Sequence, residues 1–264
     1  MNRALRLLKA AAHELWLPAL LVAAVWLVTV RRHSFFFPPL PDVLRAFREL
    51  WLFDRLGSDA LPSVLNLIAG LLLAAVLGIG LGLLLGLAGG LNDAARPVLE
   101  FLRAVPGIAL VPVALVLLGT GDGMKAALIA YGTVWPVLLG TVDGVRSLDP
   151  TVVAMADSYR LPRGQRLLRV VLPGAAPQIL AGARVSVALG VVLIIASEYT
   201  ASTHGIGYLQ LQSQRTFDIP EMWASLLLLG ILGHASNLAF RALELRLLRW
   251  YTGQRAAGQG DSPA

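Results

Sequence analysis

Long apolar stretches alternate with short charged ones along the whole chain. Six apolar stretches stand out: Leu15–Val30, Pro62–Leu91, Ile108–Gly121, Ala126–Val142, Ile179–Thr200 and Met222–Phe240. Each approaches or exceeds the ~20 residues that a helix needs to cross a hydrocarbon layer. The third is the shortest and holds Pro112. None shows the period-two alternation of a membrane strand, and only helices or closed barrels satisfy the backbone in lipid. The pattern therefore predicts an all-α membrane bundle of about six spans. Before the second stretch, "PDVLRAFRELWLF" places Val43, Leu44, Phe47, Leu50 and Trp51 at helical spacing, with Arg45, Arg48 and Glu49 on the other face. This is an amphipathic helix that either lies in the outer interface or packs on the bundle.

The second stretch carries Gly70, Ala74, Gly78, Gly82, Gly86 and Gly90, one small residue every fourth position. Such a stripe lets another helix approach closely in lipid, where packing rather than hydrophobicity drives association.

The longest charged connection lies between the fourth and fifth stretches, around "DSYRLPRGQRLLRVVLPGAAP". Asp149 is placed to cap a short helix with Pro150 at its first position. Val152, Val153, Ala156 and Tyr159 fall on one face of that helix. Pro162 biases Leu161 away from the helical region, so a bend follows, and Pro162 can open a second helix over "RGQRLLRVVL". The expected result is a helix–bend–helix, basic on one side, that either anchors topology or docks a partner.

Composition sharpens the membrane reading. Of 264 residues, 56% are hydrophobic and 14% charged, with a mean hydropathy of +0.70; a soluble domain carries about 25% charged residues. The net charge of +6 does not indicate nucleic acid, because the arginines cluster beside apolar spans. Lysines and arginines gather at the N-terminus (Arg3, Arg6, Lys9), in the loop just described (Arg146, Arg160, Arg163, Arg166, Arg169) and in the tail (Arg241, Arg246, Arg249, Arg255). With six spans all three fall on one side, the cytoplasm. Arg31, Arg32, Arg45, Arg48 and Arg55 run against this count. The basic start followed by an apolar run imitates a signal peptide, but no small-residue cleavage site follows, so a retained first span is expected. These boundaries define a cytoplasmic N-terminus (1–14), a membrane domain (15–240, with its loop at 149–177) and a basic cytoplasmic tail (241–264).

Candidate chemistry is sparse. There is no cysteine, and the four histidines stand in four separate regions without metal spacing. "GTGDGMK" lacks the GxxxxGK[ST] spacing of a phosphate loop. No nucleotide site, metal site or cofactor is expected in this chain. Polar groups inside spans are costly and therefore informative. Glu198 follows "VVLIIAS" and either faces a cavity or helix partner or is hydrated at the outer interface. Asn66, Asn237 and His234 read as interhelical hydrogen-bonding groups. Tyr131 and Trp135 either line a pathway or pack. No buried arginine cluster marks an anion site. A self-sufficient secondary transporter or channel is the competing reading, but it requires ionisable residues deep in several spans.

The loop also carries a family signature. The sequence resembles the membrane-spanning permease subunits of bacterial binding-protein-dependent ABC importers, in the branch handling aliphatic sulfonates, taurine, nitrate and similar compounds. Their loop reads E-A-A, three residues, G, nine residues, then I/V-x-L-P. Aligned on "VVLP" (170–173), the triplet falls on Ala154, Met155 and Ala156, and the glycine falls on Arg160. "FFFPPLPDVLRAFREL", "FLRAVPGIALVPVALVLLGTGDG" and "SEYTASTHGIGYLQLQSQRTFDIPEMW" extend the likeness over nearly the whole chain. The resemblance implies that Ala154, Met155, Ala156, Asp157, Ser158, Tyr159, Arg160 and Leu161 form a helix docking into an ATPase subunit, with Leu172 and Pro173 closing the motif. It implies an inner-membrane importer permease working with a cytoplasmic ATPase that holds ATP and Mg, an extracytoplasmic substrate-binding protein and a second permease copy in a homodimer. The outer segments 31–60 and 201–221 would meet the binding protein. Two departures stand out: Ala154 replaces the motif's glutamate, and Arg160 replaces its glycine. A glycine there accepts a left-handed turn freely, whereas arginine pays on the order of 1 kcal/mol, unless Arg160 simply ends the helix as a favourable cation at its C-terminus.

Overall fold

The computed structural model describes residues 34–251 together with Trp16, Leu20, Trp26 and Thr29, which are helical. The predicted first span, Leu15–Val30, otherwise lies outside the described residues. So do the basic N-terminus and the end of the tail.

The amphipathic segment forms α1 (Leu40–Phe47) and continues as π-helical turns over Arg48–Asp54 and Leu56–Ala60. Its apolar face packs on the bundle: Leu50 and Trp51 share a core with Ile206, Leu209, Ala224 and Leu229. Leu44, by contrast, is half exposed. Helix α2 (Leu61–Leu87) is the second predicted stretch, ended at Ala88 by a non-helical backbone.

The third predicted span needs correction. The chain forms a broken pair here, α3 (Gly89–Ala104) and α4 (Val111–Leu118), joined through a 3-10 turn at Gly107–Leu110 and bent by 79°. The break falls at Val105 and Pro106, both in extended conformation. The apolar run from Ile108 to Gly121 supplies only the second arm. The first arm is amphipathic, with Arg96, Glu100 and Arg103 along it.

Helix α5 (Asp122–Arg146) contains the fourth predicted stretch. The connection that follows contains α6 (Pro150–Ser158), the short α7 (Arg163–Arg166) and a π turn over Leu167–Val171. It leads directly into α8 (Leu172–Ala201). Pro173 sits in the first turn of α8 and Pro177 is carried inside the helix. Helix α9 (Ile206–Arg215) then precedes α10 (Ile219–Leu247). Among the described residues, four helices are long and apolar enough to cross a membrane, and the bent pair can make a fifth.

Helix α5 lies between α2 and α8, and small residues hold it there. A β-carbon on Gly70 would stand 2.6 Å from that of Ile129, one on Gly78 2.8 Å from Val137, and one on Gly82 2.5 Å from Thr141. The predicted stripe is therefore the α2–α5 contact. It extends to Gly86, where the same carbon would lie 2.8 Å from Val145. Gly90 has open space around it, because the chain has already left α2 for α3. On the opposite side of α5, Gly140 and Gly144 meet backbone of α8, with Gln178 O at 2.6 Å and Ala175 O at 2.9 Å from their would-be β-carbons. The three helices approach at backbone distance, which only small residues permit.

Candidate functional site

Two regions gather the residues that the sequence marks. One is the connection between α5 and α8, at one end of the bundle. The other joins α2, α5, α8 and α9 at the far end.

At the first, Asp149 caps α6 as expected, accepting from Thr151 N at 2.7 Å, with Pro150 opening the helix. That hydrogen bond from a backbone N–H holds the Asp149 carboxyl below the ordinary carboxylate range. The other end of α6 closes with a Schellman motif. Arg160 N donates to Asp157 O at 2.9 Å and Leu161 N donates to Ala156 O at 3.2 Å. This requires a left-handed residue after the helix, and Arg160 supplies it with φ +49°. The position where the resembled motif has glycine thus has the backbone that favours glycine. The helix itself covers Ala154 to Ser158 of the predicted docking stretch, while Tyr159, Arg160 and Leu161 form its cap. Ala154, Asp157 and Ser158 are exposed, and Leu161, Leu172 and Pro173 are partly buried.

The faces of α6 differ from the expected grouping. Ala156 is buried against the bundle. Val152, Met155 and Tyr159 form an exposed apolar row beside it, with Tyr159 78% exposed. Arg166 of α7 pairs with Asp157 at 2.5 Å and ties the two short helices together. Beneath them, Val145, Val171, Ala175 and Ile179 form a core with Leu148, Leu167 and Leu172, joining the loop to the ends of α5 and α8.

At the far end, Glu198 is 1% exposed. It has helix partners and is not hydrated at an interface. Ser63 Oγ donates to its Oε1 at 2.5 Å, and Gly207 N donates to its Oε2 at 2.8 Å. Asp59, also buried, accepts from Gly205 N at 2.8 Å, and Ser63 Oγ accepts from Ile206 N at 3.1 Å. Three side chains from α8, α2 and the turn before α2 thereby satisfy the first backbone donors of α9. Beside them, Lys125 is fully buried; its Nζ lies 3.3 Å from Asp122 Oδ1 and 3.4 Å from His204 Nε2. Asn66 donates to Asp122 at 2.8 Å, the interhelical role expected of it. The sequence reading missed Lys125 and Asp59. Both sit next to glycines and charged residues that looked like loop, and only the fold brings positions 59, 125 and 198 together. His234 lines an apolar cavity of about 610 Å³ with Trp223 and Leu238. Tyr131 donates to Leu102 O at 2.7 Å and packs edge-on against Trp135, with ring centroids 5.7 Å apart. These two residues bind α5 to the end of α3 and lie far from both regions.

The described residues form a helical bundle with a bent helix pair and a short exposed helix at one end. Residues 74–250 match the model of the binding-protein-dependent transport system inner membrane component family. The chain belongs to that family and is a permease component of an ABC-type importer, held in the inner membrane by several spans. It is 29% identical over 239 residues to the putative aliphatic sulfonates transport permease of Bacillus subtilis strain 168, covering 89% of this chain and 86% of that one. It is 28% identical over 244 residues to the taurine transport system permease of Escherichia coli K12, covering 88% and 87%. It is 32% identical over 209 residues to the bicarbonate transport system permease of Synechococcus elongatus, covering 74% and 75%. Among solved structures, an inward-facing form of the MetNI methionine ABC transporter superposes with a TM-score of 0.63 at 16% identity, over 75% of this chain and 97% of that chain. That likeness concerns the fold.

Proposed function

We propose that this permease forms half of the pathway of an ATP-driven importer for a small solute with an oxyanion head, such as a sulfonate, taurine or nitrate. A second copy of the chain supplies the other half. The observation that carries the reading is α6: a capped helix that buries Ala156 and lies against the turn at Leu167–Val171 while Val152, Met155 and Tyr159 stand exposed. An exposed apolar row on a short, well-anchored helix is the form of a docking element. An ATPase subunit in the cytoplasm would receive this row, with ATP and Mg bound there and not on this chain, which acts as a transport subunit and not as an enzyme. The α6 end is then cytoplasmic, as the loop and tail arginines require. The far end, built from α1, the π turns and α9, faces the substrate-binding protein. The relatives named for sulfonates, taurine and bicarbonate support the solute class.

The test is a gentle-detergent pull-down of the tagged chain from native membrane, beside a variant carrying Tyr159→Glu and Arg160→Glu. Capture of an ATPase by the parent and its loss in the variant is the expected outcome. An ATPase that ignores the variant would remove α6 as the docking element, and a chain that comes out alone would remove the importer assembly.

A further inference from the structure

Helix α3 carries more charge than a lipid-facing arm of a span can hold. Arg96, Glu100 and Arg103 are all exposed along it. They border a groove of about 250 Å³ between α3 and α5, whose other wall includes Trp135, Leu139 and Arg146. The depth of this groove follows from α5. Tyr131 donates to Leu102 O, so the Arg103 end of α3 stands level with residue 131. At 1.5 Å per residue, that level is about 14 Å from the Asp122 end of α5 and about 22 Å from the Arg146 end. With α5, a candidate span, taken to cross a hydrocarbon layer of about 30 Å, this level lies well inside it. The backbone breaks directly after Arg103, at Val105 and Pro106. Charge and irregular backbone are both tolerated at such depth only against protein or a water-filled cavity.

The charges of the groove are not evenly matched. Arg96 pairs with Glu100 at 2.9 Å. The Asn92 side-chain oxygen can accept from both terminal nitrogens of Arg146, at 3.1 and 3.2 Å. Asp143 lines the same mouth. Arg103 makes no hydrogen bond or ion pair among the described residues. The groove thus runs from a guanidinium at the helix break to a second guanidinium at the α6 end of the bundle.

We propose that this groove is a wall of the solute pathway. Arg103 receives the oxyanion head of the solute at the helix break, and Arg146 receives it next at the mouth. A guanidinium fork suits a planar or tetrahedral oxyanion through paired N–H donors. The assignment rests on the permease reading but names residues which that reading leaves open. The expectation that no buried arginine cluster marks an anion site is unchanged, since Arg103 and Arg146 are both exposed and come from separate helices.

Because the chain has no cysteine, single thiols report the groove directly. Leu99→Cys and Leu139→Cys place one on each wall, and Val98→Cys, on the exposed side of α3, serves as reference. In native-membrane vesicles each is reacted with the sulfonate-bearing ethyl methanethiosulfonate or its trimethylammonium counterpart. Relative to Val98→Cys, the groove thiols should prefer the anionic reagent by about tenfold or more, the scale on which a charged cleft concentrates a counter-ion. Arg103→Gln should abolish the preference and Arg103→Lys should keep most of it. Thiols at both 99 and 139 that resist both reagents would mean that lipid or a second copy fills the groove, and would overturn the proposal. So would a preference indifferent to Arg103→Gln. The importer reading fails on a separate readout, the absence of a captured ATPase, so the two failures are distinguishable.

Discussion

Ser63 and Glu198, 135 residues apart in the chain, meet at 2.5 Å in a site closed to solvent. The serine hydroxyl donates to the carboxylate while accepting from Ile206 N, and the carboxylate also accepts from Gly207 N. Three segments, α2, α8 and α9, thus converge on one acceptor–donor chain. An unpaired group here would be costly, since buried polar atoms without partners lose about 1–3 kcal/mol each.

Glu198→Ala should therefore destabilise the bundle by about 2–4 kcal/mol, two donors being orphaned. Ser63→Ala should cost less, and the two effects should be non-additive because they share a partner. Thermal unfolding of the purified chain in detergent, run as a double-mutant cycle, measures the coupling. Additive losses would show that the two side chains act independently.

The α2–α5 contact predicts a sharp contrast between neighbouring glycines. Gly82→Ala drives a methyl against Thr141 at 2.5 Å and should cost about 1–3 kcal/mol as overpacking. Gly80 has open space around it, so Gly80→Ala should gain up to about 1 kcal/mol from helix propensity. Melting temperatures moving in opposite directions would bear this out. Equal shifts would contradict the contact.

Arg160 adopts a left-handed backbone. Arg160→Gly should relieve on the order of 1 kcal/mol of local strain, while Arg160→Val should worsen it. The expected readout is slower hydrogen exchange at the α6 amides in the glycine variant and faster exchange in the valine variant. The charge itself is tested separately by Arg160→Asn, which tolerates the same conformation without the cation.

Asp149 gives the loop a pH dependence of defined sign. Its folded pKa is depressed by the Thr151 N–H, so the cap contributes fully above the ordinary Asp value of about 4. The contribution falls away as pH drops through the lower, folded value. Exchange of the Thr151 and Val153 amides should stay protected down to about pH 4 and rise below it. Asp149→Asn should flatten that dependence while leaving the cap formed.

Much of this was legible in the sequence because it depends on local periodicity. The glycine stripe of α2 needed only a period of four, and the cap of α6 needed only Asp149 before Pro150. The left-handed turn at Arg160 was legible through the family motif. The third span was misjudged because the apolar run from Ile108 lies on one arm only, while the charges at Arg96, Glu100 and Arg103 masked the other. Those charges line a groove against α5, a neighbourhood that no hydropathy pattern reports. Lys125 and Asp59 were overlooked for a different reason. Each has a near partner, Asp122 or Arg55, but the contacts that place them in one buried site, His204 and Gly205, lie 79 and 146 residues away.

The backbone-distance seating of α5 between α2 and α8 has a mechanical consequence. Gly70, Gly78, Gly82 and Gly86 on one side, and Gly140 and Gly144 on the other, leave no cushion of side chains to absorb a displacement. Close-packed surfaces of this kind shift as units and do not deform smoothly. Under the proposed coupling role of α6, a displacement of the α5 end beside it would reach the Ser63–Glu198 end with almost no backlash, as along a rigid push-rod about 37 Å long.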